Sequence, residues 1–134
     1  MKINKLKKRK AVKGIIFYKY KFLIVRRNDG VWEIPGGKVE ESDENDVDAL
    51  KREVLEEVAL DIKVDKFINK WRRNLPEEGI NLDGKTYLCK SQSDKVVLSP
   101  EHNAYKWISK KEADDPELQD WIRDSLAKIK NENK

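Results

Sequence analysis

Between Val31 and Leu60 the chain changes its period, and that change limits what it can fold into. "VWEIP", 31–35, reads as a short strand stopped by Pro35, and the pair Gly36-Gly37 permits backbone conformations that other residues avoid. From about Asp46 to Val58 the repeat becomes helical, with Val47, Leu50, Val54 and Val58 recurring at steps of three and four. Strand, glycine loop and amphipathic helix must follow one another, the helix docked by that stripe. On the same helix Glu53, Glu56 and Glu57 stand at i, i+3 and i+4, where side chains meet. Like charges so placed cost roughly 0.2–0.5 kcal/mol per pair in an isolated helix, so their grouping calls for a cause. The centre of the group lies roughly a quarter turn from the apolar stripe, on a flank that can face a cleft.

Around this segment the pattern is mostly extended. "AVKGIIFY" and "KFLIVRR", split by a polar break at Lys19 to Lys21, read as a hairpin. "DIKVDKFINKWRR" is a long strand, "LPEEGINLDGK" a loop with a DG turn, and "TYLCKS", "KVVLS" and "AYKWIS" are short strands. Ser109 and Glu112 have capping-box spacing for a short helix. Asp115 and Pro116 suit N-cap and N1 of a longer one, whose Leu118, Trp121, Ile122, Leu126 and Ile129 form a core-facing stripe. Phe17, Trp32, Trp71 and Tyr87 are read as core before they are read as stacking platforms. No repeat or linker interrupts the chain, which gives one domain over 11–134 behind a basic arm over 1–10.

Composition narrows the class. Hydrophobic residues make up 38% and charged residues 40% of the 134, a soluble, highly charged globular chain rather than a disordered one. No apolar run approaches the ~20 residues a membrane helix needs, and the single Cys89 excludes an internal disulfide; a cytoplasmic location follows. The net charge of +4 is uneven: eleven of the 29 Lys and Arg precede Asn28 with no acid among them, leaving 18 against all 25 acids. Such an arm can attract polyanions, nucleic acid included, or simply aid solubility. The oligomeric state is open, a homodimer included.

Three clustered carboxylates can be a solvated face, a Ca²⁺ or Mg²⁺ site, or an acid/base apparatus. Ten acids between Glu40 and Asp61 stand against only Lys51 and Arg52, which favours a cation. Hard ions such as Mg²⁺ prefer oxygen ligands and are commonly shared between one or two carboxylates and substrate phosphates. Such an ion polarises phosphoryl oxygens and lowers the pKa of a bound water, so the fitting substrate is a phosphate polyanion.

At this point the residues carry a resemblance. "GGKVEESDENDVDALKREVLEEVAL", 36–60, resembles the Nudix hydrolase signature G-x5-E-x7-R-E-U-x-E-E-x-G-U, with Glu44, Arg52-Glu53, Val54, Glu56-Glu57 and Leu60 in register. Six residues instead of five separate Gly37 from Glu44, and Ala59 replaces the final glycine. The second departure costs about 1 kcal/mol if a left-handed helix end is kept. "GVWEIPGGKVE" and "PEHNAYKWISKKEA" are similar to segments common in the family.

The resemblance implies an α/β/α sandwich with a mixed sheet and Mg²⁺-dependent hydrolysis, with Mn²⁺ as substitute, of a nucleoside diphosphate linked to another group. It makes Glu53, Glu56 and Glu57 metal ligands assisted by the Gly37 carbonyl, one of the acids orienting the attacking water. Arg52 would pair with Glu44 to hold the loop on the helix. Glu101 is the candidate additional base or ligand. His102 beside it could carry a proton but reads first as a surface residue. Arg27 and Lys38 are candidate phosphate binders.

A compact chain favours a nucleoside triphosphate, cleaved to monophosphate and pyrophosphate. ADP-ribose or a nucleotide sugar is the alternative, supported by Pro76 sixteen residues past Leu60. A non-catalytic module binding nucleotide or RNA is the third reading, and the intact acids argue against it.

Overall fold

The computed structural model describes residues 6–114 and 118–129. Seven strands form one sheet: β1 (Lys7–Tyr18), β2 (Lys21–Arg27), β3 (Trp32–Glu33), β4 (Gly36–Lys38), β5 (Ile62–Leu75), β6 (Ile80–Ser91) and β7 (His102–Ser109). Two α-helices, α1 (Asp46–Val58) and α2 (Asp120–Ala127), complete the described elements with two short 3₁₀ turns. The main strand order is β3-β2-β1-β6-β5, with β4 on β1 and β7 on β2. β1 runs parallel to β6 and antiparallel to β2, so the sheet is mixed.

Alternation along β1 sorts the core into two layers, because successive side chains of a strand face opposite ways. Val12 and Ile16 pack with Leu50, Val54 and Val58 of α1; Ile15 and Phe17 pack with Ile122 and Leu126 of α2. The expected α/β/α sandwich is the architecture found. Fully burying such aliphatic side chains contributes roughly 1.5–3 kcal/mol each, so α1 is fastened by three apolar residues while its other flank is left to carry charge. Asn45 caps α1 by accepting from the Asp48 amide at 2.8 Å.

Three details differ from the sequence reading. The DG pair is not a turn: the β5–β6 hairpin closes at Pro76–Gly79, and Gly84 lies mid-strand opposite Trp71. A Cβ there would come within 2.3 Å of the Trp71 ring, so the glycine makes room for an indole. "KVVLS" is not a strand; Val97 and Ser99 instead donate backbone hydrogen bonds to the Val58 and Glu57 carbonyls, which lays this loop on the end of α1. Lys7 to Lys10, read as part of the basic arm, open β1 in register with Ile80 to Asp83.

The Ser109–Glu112 capping box forms reciprocally, at 3.0 and 3.2 Å. Asp115 and Pro116 lie outside the described residues, and Gln119 is the N-cap of α2. Leu118, Ile122, Leu126 and Ile129 are buried as the stripe required. Among the described residues no helix is long and apolar enough to cross a membrane.

Candidate metal centre and substrate cleft

The glycine pair brings the loop against the helix. A Cβ on Gly37 would meet the Glu53 carboxylate at 2.4 Å, so only glycine lets this backbone lie on the acid. Gly36, at φ 146°, donates its amide to Glu57 Oε1 at 3.0 Å. Glu53 and Glu57 thus flank one stretch of backbone, which the Gly37 carbonyl shares.

The three glutamates occupy different environments. The Glu56 side chain is 60% exposed and Glu53 16%, while Glu57 is buried. Burial pushes the Glu57 carboxyl up to about 7, against the opposing pull of Lys13, the Gly36 amide and His102, with the Glu53 charge adding to the rise. Glu53 is also raised, chiefly by burial, with Glu56 and Glu101 adding and Arg52 opposing.

Arg52 answers for part of the repulsion. Its guanidinium bonds Glu53 at 3.1 Å and Glu56 at 3.0 Å, and its other edge grips Asp43 at 2.8 and 2.9 Å. This corrects the assignment of Glu44: the residue that holds the loop to Arg52 is Asp43. Five residues separate Gly37 from Asp43, so the extra residue falls between the acid and the helix. The bidentate pair holds the Asp43 carboxyl below the usual range.

Among the described residues no three acids, histidines or cysteines converge closely enough to enclose a metal ion; Glu53 and Glu56 are drawn onto Arg52 instead. The donor chemistry nevertheless fits a hard cation. Two partly or fully buried carboxylates with raised pKa values lie against the Gly36-Gly37 backbone, and carboxylate and peptide carbonyl alike offer oxygen. Glu53 and Glu57 with Gly37 would hold the ion, and Glu56 stands at the solvent side.

Beside them opens a cleft of about 420 Å³ whose lining includes Gly37, Lys13, Arg27, Lys38, Arg73 and Trp71. Arg27 and Lys38 both line this cleft, each already paired with an acid, Arg27 with Asp29 and Lys38 with Glu78. A larger hollow, about 590 Å³ around Ala59 to Lys63 and Lys90 to Ser93, lies apart from these carboxylates.

Sequence reading missed Lys13 and Glu33. Glu33 Oε2 lies 2.8 Å from His102 Nε2, accepting from the ring tautomer protonated there, and Glu33 sits 3.6 Å from Lys13 Nζ, which donates to the Ile34 carbonyl. Burial raises the Glu33 carboxyl, yet the His102 bond and the Lys13 and Arg27 charges outweigh it and hold the group below its ordinary value. His102 is buried, not a surface residue. Glu101 is exposed beside it, near enough for its charge to act on Glu53.

Comparison with known proteins bears on the family and the fold. The family model described as NUDIX domain matches residues 7–129. A mouse bis(5'-nucleosyl)-tetraphosphatase (asymmetrical) is 31% identical over 99 residues, 69% of this chain, and the match takes in only 66% of that protein. The crystal structure of a MutT protein from Methanosarcina mazei Go1 superposes with a TM-score of 0.81 at 27% identity, covering 94% of each chain. An ADP-ribose pyrophosphatase from Streptococcus suis 89-1591 gives a TM-score of 0.63 at 25% identity over 93% of this chain and 85% of its own. The chain therefore belongs to the NUDIX family.

Proposed function

We propose that the protein hydrolyses a phosphoanhydride bond of a nucleoside triphosphate, releasing the monophosphate and pyrophosphate, with Mg²⁺ as cofactor and Mn²⁺ as substitute. One observation carries this reading: Glu53 lies against Gly37 and Glu57 accepts from the Gly36 amide, where Gly37 lines a cleft shared with Lys13, Arg27, Lys38 and Arg73. Carboxylates suit the ion, and the cations suit the phosphate chain. A bound divalent ion supplies Lewis-acid polarisation of phosphoryl oxygens and a more acidic water.

The chain's own residues do the rest. Arg27 and Lys38 exchange their acid partners for phosphate oxygens by charge-assisted hydrogen bonds. Arg52 holds the glycine loop on α1 through Asp43, and Glu101 takes the proton of the attacking water. The setting is a cytoplasmic enzyme whose small-molecule substrate enters the cleft, with the first residues as a basic arm on a single domain.

A second reading, asymmetric cleavage of a dinucleoside tetraphosphate, is favoured by the mouse relative. ADP-ribose ranks third, favoured by the Streptococcus suis neighbour. Incubation with Mg²⁺ and these substrates, followed by phosphorus NMR, distinguishes them by product. Pyrophosphate from a triphosphate supports the first reading; preferential formation of a triphosphate and a monophosphate from the tetraphosphate replaces it with the second. Glu56→Gln is the control, expected to be the slower enzyme on every substrate.

A further inference from the structure

The buried pair Glu33–His102 is not accounted for by metal or phosphate binding. His102 opens β7, opposite Arg27 of β2, next to a bulge in that ladder. Its side chain is 2% exposed, and Nε2 lies 2.8 Å from Glu33 Oε2. Nδ1 is buried with no hydrogen-bonding partner among the described residues. Removing either partner of such a pair strands the other in a poorly solvated place.

What the pair anchors is the segment just before it. The Ser99 amide donates to the Glu57 carbonyl at 2.9 Å and the Val97 amide to that of Val58 at 3.1 Å. His102 N donates to the Ser99 carbonyl, and Asn28 Nδ2 reaches the Pro100 carbonyl at 2.8 Å. The loop is thus fixed at one end to α1, in the turn that carries Glu57, and at the other to the sheet by the His102 ring. Glu101 lies between these fixed points.

We propose that His102, clamped to Glu33, is a positioning residue that holds the 97–101 loop on the end of α1 and so keeps the Glu101 carboxylate facing Glu53. This rests on the hydrolase reading of the Glu53 site for its catalytic consequence, though not for the clamp itself. Glu101 precedes His102 by one residue, so rotation of the His102 backbone swings it directly. Glu33 serves as the fixed end because Lys13 and Arg27 keep its carboxylate charged beside the ring.

The test uses the full chain with His102→Leu, His102→Gln, Glu101→Gln and the double variant His102→Leu/Glu101→Gln. Amide exchange reads the clamp without turnover. In His102→Leu the Ser99 and Glu101 amides should exchange at least about tenfold faster while those of Leu50 to Val54 do not change, the pattern of local rather than global opening. His102→Gln, which keeps a donor for Glu33, should restore protection.

In turnover, His102→Leu should lower kcat by roughly 10- to 100-fold, the range for residues acting through another group, with KM little altered and recovery in His102→Gln. The double variant should be no slower than Glu101→Gln alone, because residues acting as one unit are not additive. Unchanged exchange in His102→Leu overturns the clamp. Effects that multiply in the double variant, or a Glu101→Gln enzyme as fast as the parent, overturn its route through Glu101. A parent chain inactive on every substrate counts against the hydrolase reading, and the exchange result still decides the clamp.

Discussion

Arg52 and Lys13 each stand among carboxylates, and they do so in opposite ways. Arg52 gathers Asp43, Glu53 and Glu56 at a half-exposed rim, all from within fourteen residues of one another. Lys13 stands in the interior beside Glu33 of β3 and acts on Glu57 of α1, both more than nineteen positions away. The rim is a local assembly in high dielectric, where ion pairs contribute little to stability. The buried set is assembled by the fold, where burial dominates and an unmatched charge is costly. Glu53 belongs to the first group and Glu57 to the second, and both would hold the proposed ion.

The largest effect expected from breaking this arrangement is on turnover. Either Glu53→Gln or Glu57→Gln should lower kcat/KM by at least about 100-fold, beyond the 10- to 100-fold typical of groups outside the coordination sphere, as measured by steady-state pyrophosphate release. Equal losses would join the two groups into one site. A large loss from one variant only would assign the ion to that group alone.

The next effect separates the groups by pH. Burial raises the Glu57 carboxyl from 4.5 to about 7, so between those values the folded chain binds more protons than the unfolded one. Stability without metal is therefore greatest below about pH 4.5 in this contribution and declines as pH rises through about 7, by on the order of 3 kcal/mol. Urea unfolding in chelator at pH 5 and pH 8 measures it, and Glu57→Gln should flatten the difference. Glu56→Gln, at the exposed rim, should not.

A smaller effect tests the corrected rim partner. Asp43→Asn should weaken activation by the divalent ion roughly 10-fold, at the low end for outer-shell groups, whereas Glu44→Gln should leave the activation curve in place. The opposite ranking would return the Arg52 partnership to Glu44. Smallest is the helix end: Ala59 sits at φ 61° and ψ 33°, a left-handed conformation that disfavours a Cβ, so Ala59→Gly should stabilise the chain by about 1 kcal/mol in urea unfolding.

The same contrast explains what was legible in the sequence. The helix, its core stripe and its acids are periodic over thirteen residues, so they could be read before any folding, and the departure at Ala59 was visible as a strained end only because the motif places a glycine there. Asp43 was in plain view with five residues between it and Gly37, but alignment on the following glutamate concealed it; the spacing from the glycine was the better ruler. Gly84 looked like a turn because its reason, the Trp71 ring across the hairpin, lies thirteen positions away in sequence. Glu33, Lys13 and His102 carry no local pattern at all. Their meeting depends on β1, β3 and β7 converging, which no periodicity encodes.

The most direct test of the account is Mn²⁺ binding followed by electron paramagnetic resonance, with the parent chain compared with Glu53→Gln and Glu57→Gln. A single saturable site, weakened at least about 100-fold by either substitution, is the predicted result, because one carboxylate from each group is needed. Undiminished binding in either variant would contradict it: rim and interior would then be separate clusters, and the cleft between them would not be a metal-dependent hydrolytic site built from both.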